Sequence, residues 1–137
     1  MKKIWVVFVV IFLVIFLDFI TENYTNKVVN EVNKVLENVN NEIEKGYIDN
    51  EFVLGKELKN NIKRISKKVL NKWRKNENTL SFYIEHDEIE KVSDKINLLN
   101  KQIEIENFTD AISSINEAKF LLKHITEKQS LTWKNIF

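Results

Sequence analysis

The hydrophobic positions of this chain fall into two regimes. From Ile4 to Leu17 every residue is apolar, a run of 14. Beyond it, apolar residues recur every three or four positions between polar ones, the signature of helices with one buried face. The first such stripe is Tyr24, Val28, Val32, Val35, Val39 and Ile43, so the opening helix is predicted to continue out of the apolar run to about Gly46. Gly46 should adopt the left-handed conformation of a helix end, with Asp49 or Asn50 capping a second helix over roughly 50–75. That helix carries Phe52, Leu54, Leu58, Ile62, Ile65, Val69 and Trp73, with Gly55 a weak point inside it. A third helix is predicted from near Thr79, with Phe82 or Tyr83, Ile89, Val92, Ile96, Leu99 and Ile103 on its apolar face. Asn107 and Asp110 form a capping pair for a fourth, Phe108 to about Ile125, with Ala111, Ile115, Ala118, Leu122 and Ile125 inward. After Glu127 the period breaks into an apolar tail. The predicted fold is all-α: an N-terminal transmembrane helix continuing into a small antiparallel four-helix domain.

Composition supports helices and removes alternatives. Among 137 residues there is no proline and glycine occurs only twice, so the usual punctuation of turns and hairpins is missing and β architectures are disfavoured. Cysteine is absent, which excludes disulfides, thiolate metal sites and cysteine nucleophiles.

The apolar run reads as an uncleaved anchor. Extended through Asp18 to Ile20 it covers 17 residues, about 25 Å of helix, at the short end of what spans a bilayer. A signal peptidase needs small side chains, and none lies near residue 20: the first glycine is Gly46, the first serine Ser66 and the first alanine Ala111. Lys2 and Lys3 before the run and Asp18 and Glu22 after it orient the N-terminus inside and the remainder outside a bacterial cytoplasmic membrane. The division expected is therefore 1–20 as signal anchor and 21–137 as an extracytoplasmic domain. Trp5 and Tyr24 sit where amphipathic rings favour the interface, and Asp18 either reaches headgroup water or pairs with a partner helix.

Charge is unevenly distributed although the net value is +1. Residues 56–75 hold nine cationic side chains, Lys63, Arg64, Lys67 and Lys68 among them, against Glu57 alone, and 77–94 hold six acids against Lys91. Adjacent helices of opposite sign neutralise one another when packed antiparallel. The functional alternative is a basic face on anionic headgroups. An exported, near-neutral domain is a poor candidate for nucleic acid.

Reaction chemistry is sparse. Ser66, Ser81 and Ser113 have no base in a recognisable pattern, no glycine-rich phosphate loop exists, and no small-molecule substrate or cofactor is suggested. No enzymatic activity is expected. The two histidines, His86 and His124, lie equally far from a turn placed near residue 105, so a hairpin of helices three and four would set them level, with Glu90 one turn from His86. Two imidazoles and a carboxylate can hold a divalent cation such as zinc. Such a pair would also resist double protonation, so mild acid should loosen this hairpin first. The tail residues Leu131, Trp133, Ile136 and Phe137 are too apolar for water and are expected to meet a partner or dock back.

The C-terminal run from Glu117 to Phe137, above all Phe-Leu-Leu-Lys-His-Ile at 120–125 and Asn-Ile-Phe at 135–137, resembles the domain-of-unknown-function family 4363. These are small single-pass membrane proteins of low-GC Gram-positive, often spore-forming bacteria. The resemblance extends to the N-terminal anchor, Trp73 and the stretch His86-Asp-Glu88, while Thr126 stands where the family usually has proline. It implies a membrane-protein partner, of the YetF-like multi-pass kind, and a place in the spore envelope. Self-association is the alternative. It implies no catalytic residue.

Overall fold

The structure, a computed structural model, describes residues 2–48 and 51–134, with side chains over 3–48 and 51–130. Four helices are present: α1 (Lys2–Glu44), α2 (Lys56–Leu80), α3 (His86–Glu104) and α4 (Phe108–Lys134). Between α1 and α2 two short strands, β1 (Tyr47–Ile48) and β2 (Glu51–Phe52), pair antiparallel, with Tyr47 opposite Phe52.

α1 runs unbroken through both hydrophobic regimes. Its first half has no protein to pack against: nearly every side chain from Ile4 to Ile20 is exposed, Trp5 at 73% and Phe12 at 66%. From Thr25 onward one face turns inward, and Val28, Val29, Val32, Leu36, Val39 and Ile43 enter the core. The same helix is thus long and apolar enough to cross a membrane at one end and is a core element at the other.

Up-down-up-down packing follows from the short connections. Each helix packs on the next, and α4 closes the ring against α1. The predicted stripes of α3 and α4 are buried from Ile89 to Ile103 and from Ala111 to Ile125, whereas of the pair expected to open the α3 stripe Phe82 is exposed and Tyr83 only half-buried. α2 contributes Ile62, Val69, Trp73 and Leu80. The buried serines find partners: Ser66 donates to Asn100 at 2.9 Å, and Ser114 to Gln102 at 2.7 Å. Paired in this way they add little burial cost.

Several boundaries differ from the sequence pattern. Phe52 and Leu54 are not helical; Phe52 sits on β2 with its ring 5.9 Å from Phe108, and α2 opens after Gly55, which is its N-cap rather than an interior weak point. Glycine at an N-cap is well tolerated. The caps expected at Asp49 and Asn50 lie outside the described residues. Gly46 has no positive φ. Its lack of a side chain serves instead the close approach of Leu54, whose Cγ would stand 2.5 Å from an added Cβ. α2 also runs to Leu80 rather than 75, so α3 starts at His86 and not near Thr79. Asp87 and Glu88 occupy its first turn, where negative charge suits the helix dipole.

The α3–α4 turn holds a left-handed residue that is not glycine. Glu106 has φ 61°. Its N–H donates to Ile103 O at 3.1 Å and that of Asn107 to Gln102 O at 2.8 Å, the paired bonds of a Schellman ending. Asn107 then caps α4, accepting from Asp110 N at 3.3 Å and donating to its carboxylate at 2.7 Å, as the sequence predicts. α4 does not stop near Ile125. Thr126 keeps the backbone N–H that a proline would lack, its hydroxyl donates to Lys123 O at 2.8 Å, and the helix continues to Lys134.

Candidate functional site

The histidine set is not assembled. His86 and His124 are both exposed, and no group of three or more histidine, aspartate or glutamate side chains able to hold a metal occurs among the described residues. The reason is register. The hairpin turns around Glu106 instead of 105, and Lys128 reaches Glu85 at 3.0 Å while Gln102 takes Ser114. Position 86 therefore stands nearer 128 than 124. Glu90 is exposed on its own helix, and His86, Glu90 and His124 form no common site.

The basic helix is partly neutralised, and not by the acids nearest in sequence: Lys59, Lys63, Lys67 and Lys72 find carboxylates. Antiparallel packing brings the first half of α2 to the last turn of α3: Lys59 pairs with Glu106, Lys63 lies 3.8 Å from Glu106 and 3.9 Å from Glu104, and Lys67 lies 3.3 Å from Glu104. Lys59 beside Glu106 holds its carboxyl below the usual range. Arg64 donates to Asn61 at 2.7 Å. The acidic stretch at the start of α3 meets α4 instead, where Lys128 lies 3.8 Å from Glu88 and is itself raised above its ordinary value, chiefly by its hydrogen bond to Glu85.

A groove of about 520 Å³ between α1 and α2 keeps a cationic surplus. Lys27, Lys68, Lys72 and Lys75 line it with Tyr24, Asn71 and Asn76. Lys72 donates to Glu31 at 2.8 Å and holds that carboxyl below the usual range. Lys68 is exposed, with no carboxylate within 4.0 Å among the described residues.

Of the residues expected at the membrane boundary, Tyr24 is a bundle residue, while Trp5 is exposed. Tyr24 donates to Asn76 Oδ1 at 2.7 Å, which ties α1 to α2. Thr25, fully buried, shares a 3.0 Å hydrogen bond with the hydroxyl of Tyr83. Asp18 is half-exposed and its carbonyl accepts from Thr21 at 2.9 Å. Of the apolar tail, Leu131 and Trp133 fall on the last turns of α4, so this part is helix; their side chains, and Ile136 and Phe137 entirely, lie outside the described residues.

Two exposed aromatic residues stand out from the charged surface. Phe120 is 70% exposed on α4, beside Leu121 in a shallow groove of about 540 Å³ bordered by the Lys95–Glu117 pair. It lies off the Ala111–Ile125 stripe, and that phase mismatch was the signal available in the sequence. Phe82, 89% exposed, projects from the α2–α3 turn. The spacing offers Phe82 or Tyr83 to the apolar face of the third helix, but α3 begins only at His86, so Phe82 belongs to neither helix and points away from the core.

Helix, groove and surface together define a class: an all-helical protein whose long apolar N-terminal helix continues into a four-helix bundle, with no reaction centre assembled among the described residues. The family model for the domain of unknown function DUF4363 matches residues 19–136, and the chain belongs to that family. The apolar run from Ile4 to Leu17 lies outside the match. No curated protein and no solved structure matches the chain.

Proposed function

We propose that this protein is a non-catalytic, membrane-anchored interaction module. α1 crosses the cytoplasmic membrane with its N-terminus inside and holds the bundle at the outer surface, where it engages another membrane protein. The observation that carries this reading is α1 itself, one uninterrupted helix with an unpacked apolar half and a core-forming half. Such continuity fixes the orientation of the bundle relative to the anchor, which a flexible linker would not do. Phe120 with its groove and the stretch 131–137 are the proposed contacts, since exposed aromatics rimmed by charge suit protein partners. A multi-pass partner and a spore-envelope setting belong to this proposal through the family resemblance alone.

The test is site-specific crosslinking in native membranes from position 120 and from the C-terminal stretch, followed by identification of the adducts. A discrete adduct lost on deleting 131–137 or on Phe120→Ala supports the module, and an adduct with a second copy makes self-association its mode. Recovery of an uncrosslinked monomer from both positions rejects it.

A second reading, binding to an anionic lipid surface, draws support from the lysine surplus around Lys68 and Lys75 in the α1–α2 groove. Lys63 and Lys67 favour it less, being committed to Glu104 and Glu106. A chain lacking residues 1–20 should then bind anionic vesicles and release in salt. Equal binding to neutral vesicles removes this reading.

A further inference from the structure

We propose that the α2–α3 turn, Ser81–Ile84 with Phe82 at its tip, seats in the outer headgroup layer of the membrane that α1 crosses, so that the bundle rests on the bilayer at a second point. The proposal rests on reading α1 as the membrane span.

Topology puts this turn at the membrane-proximal end. α2 descends antiparallel to α1, pairing Asn61 with Glu42, Lys72 with Glu31 and Asn76 with Tyr24. The bond between Tyr83 and Thr25 then places the turn level with the start of the bundle. Thr25 follows Ile20, the last residue of the apolar segment, by five positions, about 7 to 8 Å along an unbroken helix. The headgroup layer on each side of a bilayer is about 5 to 8 Å thick. Phe82 therefore lies at its outer edge when α1 stands upright. Neighbouring helices are about 8 to 10 Å apart, so an ordinary tilt of about 20° toward α2 lowers the turn by about 3 Å, into the layer.

The chemistry of the turn suits that position. Asn78–Ile84 contains no charged residue, although the segments on both sides are densely charged. Its backbone donors are met internally: Ser81 N to Glu77 O at 3.0 Å, Phe82 N to Thr79 O at 3.3 Å, Tyr83 N to Leu80 O at 3.2 Å and Ile84 N to Leu80 O at 2.9 Å. Shallow insertion thus strands no N–H. Tyr83 and Ile84 are half-buried against the core and hold the turn, leaving Phe82 as its exposed apolar group.

The chain has no cysteine, so single labelling sites are available without further change. Full-length protein carrying a nitroxide at Phe82→Cys, Phe120→Cys or Phe12→Cys is reconstituted in liposomes, and collision with oxygen and with a water-soluble nickel chelate is measured. The label at 12 reports the anchor, and that at 120 the aqueous face of the bundle. The expected result is nickel access at 82 at least threefold below that at 120, with oxygen access raised, and nearly none at 12. Access at 82 equal to that at 120, with 12 protected, overturns the seating and leaves the anchor standing. Full access at 12 overturns both. Unchanged helical circular dichroism of the position-82 variant, expected because Phe82 packs on nothing, shows that the label reports the native bundle.

Discussion

The indole N–H of Trp73 donates to Ser93 Oγ at 2.7 Å, joining the buried faces of α2 and α3. Ser93 in turn lies within hydrogen-bonding reach of Glu77 and of Ile89 O. Trp73 is 1% exposed, so its N–H has no water to fall back on. Ser93→Ala should lower bundle stability by about 1–3 kcal/mol, the cost of stranding a buried donor. Trp73→Ala should cost about 3–5 kcal/mol, mostly through the cavity left behind. Unfolding of the full chain in mild detergent, followed by circular dichroism, measures both. A Trp73→Phe/Ser93→Ala double variant costing less than the two single changes combined would identify the shared bond.

Glu106 sets two effects against each other. A non-glycine residue in the left-handed region costs about 1–2 kcal/mol, while ion pairs of a carboxylate open to solvent are weakened by screening. Backbone strain is the larger of the two. Glu106→Gly should therefore raise the unfolding midpoint despite losing Lys59 and Lys63. A fall in midpoint would show that the ion pairs govern this turn.

At Gly46 close approach is the constraint. An added Cβ would meet both Leu54 Cγ and Leu54 Cδ2 at 2.5 Å. Gly46→Ala should destabilise by about 1–3 kcal/mol through overpacking. Adding Leu54→Ala should recover part of that loss. Additive effects of the two changes would show that the steric conflict lies elsewhere.

The carboxyls of Glu31, Glu42, Glu106 and Glu117 are all held low by hydrogen bonds, from Lys72, Lys45, Lys59 and Lys95 respectively. A lowered folded-state value means that the unfolded chain takes up protons first as pH falls. Their stabilisation is complete above the ordinary value of 4.5 and is lost as pH drops below it through the folded values. Because these groups lie at the surface, the effect should be modest and should shrink in high salt. Melting midpoints across a pH series test this. A midpoint that stays level as pH falls below 4.5 would remove these pairs from the account of stability.

The helical periodicities made most of the core legible. Ile89 to Ile103 and Ala111 to Ile125 face inward as their spacing requires, because one buried face in a bundle demands apolar residues every three or four positions. Asn107 and Asp110 were legible too, since a cap is a local interaction. The strand pair was not. Tyr47–Ile48 and Glu51–Phe52 are too short to show a period of two, and Phe52 and Leu54 happen to continue the helical spacing of α2. The start of α3 carried a signal in Asp87 and Glu88, but Leu80 and Tyr83 have spacings that allow either helix to claim them.

By itself, then, the chain determined what depends on neighbours in sequence: an apolar run of spanning length, four amphipathic segments and the cap at Asn107. Packing decided what depends on register. Each residue by which a turn moves shifts every pairing across a hairpin by two, so His86 meets the level of Lys128 rather than His124. The basic block of α2 is answered by Glu104, Glu106 and Glu31, which lie far from it in sequence. Antiparallel descent along α1 likewise carries Phe82, which the linear pattern offered to the buried face of a helix, to an exposed turn level with Thr25 at the foot of the bundle.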